Sequence, residues 1–222
     1  MTEITFRSDV KVELLDSMGD EQSIVRAARV STKGSDAELE EAAGLVKFLV
    51  REGHTTPLES CVLTFRIECP LFVQNQLVKH RITSINAHSG RYSEMKPEFY
   101  VPDSSRPVVQ VGKTGDYEFV GTAKTSKAAR GILEDASDYA WERYKYALDQ
   151  GIAKEVARLV LPQNIYSSLV LTANLHSLLN IVRLRTDRYG SKPQHEIALL
   201  GEAIRDVLVG KFPNVMEAYE SK

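Results

Sequence analysis

Residues 61–81 read CVLTFRIECPLFVQNQLVKHR, and the change of period inside this stretch decides the class of fold. Up to Cys69 the side chains alternate. Cys61, Leu63, Phe65 and Ile67 fall on one side, Val62, Thr64, Arg66 and Glu68 on the other. A period of two is a strand with one buried face. Pro70 then stands where a helix begins, a position at which its missing N–H costs little. From there the chain predicts a helix over 71–81. Steps of 100° place Gln76, Lys79 and His80 within about 100° of one another, with Val73 and Leu77 on a neighbouring face.

The flanks extend this mixed pattern. Residues 10–16 alternate as a short strand and 21–31 read as a helix. A clearer helix covers 36–52, with Ser35 as cap, Glu38 completing a capping box and Gly53 ending it. HTTPLES at 54–60 is a turn around Pro57. Residues 96–116 carry three prolines and two glycines and predict loop with one short strand. A long helix follows at 124–150, closed by Gly151, and a second runs through KEVARLVL to Pro162. SSLVLTAN (167–174) reads as a strand, LHSLLNIVRL (175–184) as a helix, and 194–212 as a final amphipathic helix. There is no repeat, low-complexity tract or linker, so residues 1–222 are expected to form a single α+β domain in which helices outnumber strands.

Composition narrows the function. The 222 residues are 43% hydrophobic and 26% charged with a net charge of −2, ordinary for a folded globular protein and unlike a general nucleic-acid binder or a basic membrane anchor. No apolar run reaches the roughly 18 residues of a membrane span, and the first residues lack the apolar core of a signal peptide. The expected location is the cytoplasm, with no nucleic-acid and no membrane partner. Cys61 and Cys69 share one strand and no CxxC exists, so neither a disulfide nor a thiolate zinc site is expected.

Against this neutral background, residues 79–93, KHRITSINAHSGRYS, stand out. Ser84, Asn86, Ser89, Gly90 and Arg91 are read as a loop of small donors, with Gly90 permitting a turn. Hydroxyls, free N–H groups and an arginine fork hold phosphate groups, although the same residues also suit a plain polar turn. Neither GxxxxGK[ST] nor GxGxxG is present. On 175–185, Leu175, Leu178, Leu179 and Val182 form a core stripe, while His176, Asn180 and Arg183 form a second, polar stripe and Arg185 points elsewhere. Arg158, set in the apolar run VARLVLP, must reach solvent along its stem or meet an anion. No GxSxG, HExxH or paired-carboxylate motif appears. Donors are plentiful and nucleophiles poor, which suits anionic ligands whose chemistry a cofactor supplies.

The stretch Lys79-His80-Arg81, seven residues, then Ser89 resembles the signature of the flavin-dependent thymidylate synthases, RHR-x7-S. RAARVS (26–31), GHTTPLES (53–60), SGRYS, EFYVP, EVARLVLP (155–162) and the 174–187 segment resemble that family's blocks, in its order. The resemblance implies several helices on a small, mostly antiparallel sheet, and a homotetramer with four active sites shared between subunits. It implies conversion of dUMP to dTMP with 5,10-methylenetetrahydrofolate as carbon donor, NADPH as reductant, FAD as hydride carrier and no cysteine nucleophile. Carried over by position, the dUMP site is Gln76, Lys79, Ser89, Gly90, Arg91, Arg158 and Arg185, with Arg185 the catalytic residue at the uracil ring. The FAD site is His54, Thr56, Glu59, Lys79, His80, Arg81, Ile82, Asn174, His176 and Asn180. No metal is implied. This chain has Lys79 where the family's first arginine usually stands, Ala87 where glutamate is frequent, and His176 where arginine is frequent. A dUMP hydroxymethylase on the same scaffold, or a nucleotide-binding homologue without catalysis, remain the alternatives.

Overall fold

The alternation at 61–69 is realised in full: Cys61, Leu63, Phe65, Ile67 and Cys69 are completely buried, while Arg66 is exposed. The computed structural model describes residues 3–30, 39–113 and 115–221. In chain order the elements are β1 (Thr5–Arg7), β2 (Lys11–Met18), α1 (Glu21–Arg29), α2 (Leu39–Glu52), a 3-10 turn (Thr56–Ser60), β3 (Val62–Pro70), α3 (Leu71–Leu77) and β4 (Ser84–Ala87). There follow β5 (Glu98–Tyr100), β6 (Val109–Lys113), β7 (Asp116–Val120), α4 (Ala123–Asp149), α5 (Lys154–Ala157) with a 3-10 turn (Arg158–Val160), β8 (Tyr166–Asn174), α6 (Leu175–Arg185), α7 (His195–Lys211) and α8 (Pro213–Glu220). This is an α+β fold, and its described residues pack as two compact units.

The larger unit comprises 10–68, 75–87 and 168–222. Its sheet has the order β2-β3-β8-β4. The pairs β2–β3 and β4–β8 are antiparallel. Between β3 and β8, Thr64 meets Thr172 through hydroxyls 3.0 Å apart and Leu175 N donates to Cys61 O at 2.9 Å, so one strand runs down as the other runs up. Helix α6 continues β8 directly because Asn174 caps it, its Oδ1 accepting from Ser177 N at 2.8 Å. The predicted stripe Leu175, Leu178, Leu179 and Val182 is buried. Helix α7 packs on α6 and α8 on α2. The stop at Gly53 holds, its φ of +74° being the left-handed turn that glycine adopts without steric cost. The proposed Ser35 cap lies outside the described residues.

The smaller unit comprises residues 1–9, 69–74 and 88–167. It holds a parallel β1–β5 ladder, the β6–β7 hairpin and α4. Its core gathers Met95, Phe99, Trp141, Tyr144, Ala157 and Ile165. Helix α4 starts on a capping box formed by Thr122 and Thr125 and stops before Gly151, whose φ is +76°. No helix among the described residues is long and apolar enough to cross a membrane.

Several predicted spans are corrected. The helix after Pro70 ends at Leu77, not at residue 81, because the chain must straighten to pair β4 with β8. Lys79 N and His80 N bond three residues back, and Thr83 Oγ1 donates to His80 O at 2.6 Å, which closes the helix. The helical face shared by Gln76, Lys79 and His80 therefore does not exist in that form. Ser84 and Asn86 lie on a strand, not in the loop. The proline-rich segment contributes three strands with its continuation, not one. KEVARLVL forms only one α-turn and a 3-10 turn, and α8 is a further helix beyond the one expected to be last.

Candidate active site

The expected residues fall into three local groups. The first is the turn at 88–93. Tyr92 N and Ser93 N both donate to Ser89 O, at 3.2 and 3.3 Å, and Arg91 N donates to Ser89 Oγ at 3.3 Å. The turn is thus drawn around Ser89, whose hydroxyl proton is left to donate outward. Gly90 is buried, and its backbone is not in the left-handed region. Its value is close approach instead of a special turn. A Cβ there would lie 3.0 Å from Met95 Sδ and 3.2 Å from Arg158 Cδ, so the Arg158 stem runs across the bare Cα. Arg158 resolves the puzzle of its apolar run simply: Val156, Leu159 and Val160 are themselves exposed. Its guanidinium has no partner among the described residues. Arg91 Nε donates to Glu155 Oε2 at 2.9 Å, both side chains about half exposed. Such a pair contributes about 0–1 kcal/mol, so it steers the guanidinium without tying it. His88 Nε2 lies 2.7 Å from Ser93 Oγ, so the imidazole of the turn serves Ser93 and leaves Ser89 without a base.

The second group centres on Arg185, at the end of α6. Arg185 Nε donates to His80 Nε2 at 3.0 Å, and an Nη donates to Gln76 O at 3.4 Å. Only a neutral imidazole accepts at Nε2, with its proton on Nδ1. Burial, and secondarily the charge of Arg185, hold the His80 pKa below the usual histidine value, so the neutral form is the stable one. Burial also lowers the Arg185 pKa, without threatening its charge at neutral pH. The Gln76 side chain donates to Gln194 Oε1. Lys79, Arg81 and Ile82 are exposed around this group.

The third group lines a cleft of about 910 Å³ in the larger unit. From α6 it is lined by His176, Leu179, Asn180 and Arg183, and its lining also includes Gly53 and Thr55. His176 Nδ1 lies 3.5 Å from Glu59 Oε1, and its Nε2 lies 3.3 Å from Asn180 Nδ2. One tautomer suits both, with Nδ1 protonated toward the carboxylate and Nε2 accepting from the amide. Thr55 lines the cleft where Thr56 was expected. His54 is exposed and meets Phe48 edge-on at 6.0 Å between ring centroids. Asn174 has committed its amide oxygen to the α6 cap. Farther along the cleft are Arg188, Tyr189, Tyr219 and Glu220, which sequence reasoning did not select. No local pattern marks them; Tyr219 on α8 reaches them by meeting the Tyr189 ring and donating to Leu179 O at 3.1 Å. The support of Arg185 by His80, and of Arg91 by Glu155, is equally a product of long-range folding.

The three groups thus present the guanidinium of Arg158, the Ser89 hydroxyl and, in the larger unit, a cleft walled by an imidazole and an amide. Residues 13–214 match the family model described as "Thymidylate synthase complementing protein". A flavin-dependent thymidylate synthase of Tropheryma whipplei (strain TW08/27) is 39% identical over 227 residues, covering 98% of this chain and 95% of the relative. One from Streptomyces coelicolor is 40% identical over 211 residues, covering 90% and 86%. Two solved structures of a UMP/dUMP methylase, PolB from Streptomyces cacaoi, superpose with TM-scores of 0.91 and 0.92 at 38% identity over 98% of this chain, covering 96% and 97% of the relative's chain. One is bound with 5-Br UMP and the other with 5-Br dUMP. The chain belongs to the flavin-dependent thymidylate synthase family.

Proposed function

We propose that this chain methylates C5 of a uridine monophosphate, dUMP in the first place, with methylenetetrahydrofolate as carbon donor and NADPH as reductant. The observation that carries this reading is the turn at 88–93. It offers the Ser89 hydroxyl and the Arg91 fork, and Gly90 seats the stem of the unpartnered Arg158, in a chain whose relatives are named for this chemistry. A phosphate dianion outcompetes Glu155 for Arg91, because it carries up to two charges against one and the carboxylate pair is half-exposed and weak. Arg185, held by neutral His80, is the cation for the pyrimidine edge. There it favours the N3-deprotonated ring and stabilises charge that develops as the ring is reduced.

The cleft residues fit a flavin dinucleotide: an imidazole, an amide, a free guanidinium and the Tyr189 hydroxyl, which is buried without a partner among the described residues. His176, Asn180, Glu59 and Thr55 would hold it, with His54, Thr56, Lys79, His80, Arg81, Ile82 and Asn174 as the further contacts that the resemblance implies. When bound, FAD supplies hydride transfer. No cysteine nucleophile is part of this reading, which is supported at Cys61 by its full burial and by a thiol that burial pushes up to about 11. Homotetrameric assembly with shared sites, and a cytoplasmic location, complete the reading.

UMP is a second acceptor to consider, since the solved relatives are named UMP/dUMP methylase. The test incubates the flavin-loaded protein with methylenetetrahydrofolate, NADPH and an equimolar mixture of UMP and dUMP, and weighs the products. A gain of CH₂ on dUMP supports the primary reading, and the same gain on UMP alone replaces the substrate. A gain of CH₂O makes the chain a hydroxymethylase, and no product with bound flavin refutes the activity. Sedimentation of the same sample checks the tetramer.

A further inference from the structure

The turn at 88–93 holds a short chain of polar groups that the expected phosphate contacts leave unexplained. His88 Nε2 and Ser93 Oγ lie 2.7 Å apart, closer than any other hydrogen-bonded pair inside the turn. The same Ser93 Oγ donates to Ser89 O at 3.2 Å. A serine hydroxyl has one proton to give. Ser89 O is a carbonyl and only accepts, so the Ser93 proton belongs to it. The 2.7 Å contact then requires His88 to donate, with a proton on Nε2. The groups run head to tail, from His88 Nε2–H to Ser93 Oγ and from Ser93 O–H to Ser89 O. With its proton on Nδ1 alone, His88 would accept instead. It would draw the Ser93 proton away, and Ser89 O would lose its hydroxyl donor.

This polarity separates the pair from a nucleophile and its base. A base would take the Ser93 proton at Nε2, the opposite direction, and a third group would orient its other nitrogen. His88 Nδ1 has no such partner among the described residues.

Ser89 O is the point on which the turn closes. It accepts from Tyr92 N at 3.2 Å, Ser93 N at 3.3 Å and Ser93 Oγ at 3.2 Å. All three bonds are long, and every residue of the turn except Gly90 is at least partly exposed, so water competes for them. A hydroxyl polarised by an imidazole donor holds its acceptor more firmly than one acting alone. Pinning that carbonyl also fixes its neighbour. The peptide bond from Ser89 to Gly90 is trans, and a planar trans peptide sets its C=O and N–H on opposite sides. The Gly90 N–H therefore points away from the bonds that close the turn, and it has no partner among the described residues. A free backbone N–H in a turn is a donor for an anion. It lies between the Ser89 hydroxyl and the Arg91 fork in the chain, on the residue crossed by the Arg158 stem.

We propose that His88 and Ser93 are positioning residues for the nucleotide phosphate: their relay pins the Ser89–Gly90 peptide, which aims the Gly90 N–H and steadies the Ser89 hydroxyl. This role rests on reading the turn as the phosphate site, and it adds two residues outside the expected set.

The experiment measures dUMP affinity by calorimetric titration, and kcat and KM for dUMP on the flavin-loaded enzyme. It compares wild type with His88→Gln, His88→Met, Ser93→Ala, the double variant His88→Met/Ser93→Ala, and Arg158→Ala, with melting temperatures to confirm folding. Glutamine places an amide N–H near the position of Nε2, and methionine has a similar length without a donor. His88→Met and Ser93→Ala should each weaken dUMP by about fivefold, the net worth of about one hydrogen bond, with KM rising in step and kcat within about twofold. His88→Gln should stay within about twofold of wild type, and the double variant within about twofold of the weaker single, since both changes cut one chain. The relay is overturned if His88→Gln binds as weakly as His88→Met, because the imidazole then acts by packing, or if the two losses add. A fall in kcat with dUMP affinity unchanged would put the pair in the chemistry itself and overturn the positioning role. If Arg158→Ala leaves dUMP affinity unaffected, the turn is not the phosphate site and both readings fall. If Arg158→Ala weakens dUMP while His88→Met and Ser93→Ala do not, only the relay falls.

Discussion

Gly90→Ala isolates the contact on which the phosphate reading depends. The backbone tolerates alanine, since Gly90 is not in the left-handed region. The new Cβ would sit 3.0 Å from Met95 Sδ and 3.2 Å from Arg158 Cδ, so one of the two must move by a few tenths of an ångström. Met95 belongs to the buried cluster with Trp141 and Tyr144, and its backbone N donates to Tyr144 Oη at 3.0 Å. Arg158 is exposed and untethered, so it yields. Overpacking of a dense core costs about 1–3 kcal/mol, and the freedom of Arg158 puts this case near the lower end, about 1 kcal/mol. The cost to binding is larger. A hydrogen bond to a charged group contributes about 1.5–3 kcal/mol, so displacing the guanidinium should weaken dUMP by about 10- to 100-fold. Calorimetric titration of dUMP into wild type, Gly90→Ala, Arg158→Ala and the double variant measures this. If Gly90 acts by seating Arg158, the double variant should bind no more than about threefold worse than Arg158→Ala, a coupling of about 1 kcal/mol or more. Additive losses, or wild-type binding by Gly90→Ala in a protein that melts normally, would refute the reasoning.

Acid should destabilise the fold through His80. Its folded pKa lies below the ordinary histidine value because burial and Arg185 disfavour the charged form. Its contribution is therefore complete above the ordinary value of 6.5 and is lost as pH falls from there through the folded pKa. His80→Gln, which keeps an acceptor and cannot titrate, should flatten the melting-temperature profile on the acid side; an unchanged profile would dissociate His80 from it. Gly201→Ala should damage both stability and turnover, because a Cβ there would lie 2.7 Å from Arg185 O and 3.0 Å from Thr186 Cγ2. Backbone cannot yield cheaply, so denaturant melts should show a loss of about 1–3 kcal/mol, with kcat falling more than for an equally destabilised variant elsewhere. Cys61→Ala and Cys69→Ala should each retain turnover within a few-fold, and native protein should resist iodoacetamide at both thiols. Rapid alkylation at neutral pH, or an inactive but folded variant, would contradict the buried, protonated state of Cys61.

The elements legible in the sequence are those whose period is set by one buried face. The strand at 61–69 could be read residue by residue because every second side chain is completely buried. Helix α6 was equally plain, since its core stripe repeats at helical spacing. The helix after Pro70 was overextended because Val78-Lys79-His80 has no local breaker. What ends it is the pairing of β4 with β8, residues more than eighty positions away in sequence. Period and propensity report local preference, and a sheet edge that needs a partner overrides both. The loop reading of 84–87 failed for the same reason, because polar residues on an edge strand look like loop until the partner strand is known.

The site divides along a similar line, and the division explains what each residue type can reveal. Ser89, Gly90, Arg91, Arg158 and Arg185 stand out in the sequence because polar or conformationally permissive residues in unexpected places carry their own signal. The bonds that hold them, Glu155 to Arg91 and His80 to Arg185, are not legible there, because such support is a relation between distant positions. His80 shows the difference best. Its place in a cationic triplet suggests a ligand contact, yet in the fold its Nε2 accepts from Arg185 at 3.0 Å. That bond requires a neutral imidazole, and burial beside a guanidinium is what keeps it neutral. An isolated arginine at the end of a helix could swing through many rotamers, losing the preorganisation on which electrostatic catalysis depends. The bond to His80 restricts that swing, in a neutral state that burial and the charge of Arg185 itself favour. The central member of the cationic triplet thus stays uncharged and serves as acceptor for an arginine more than a hundred positions away.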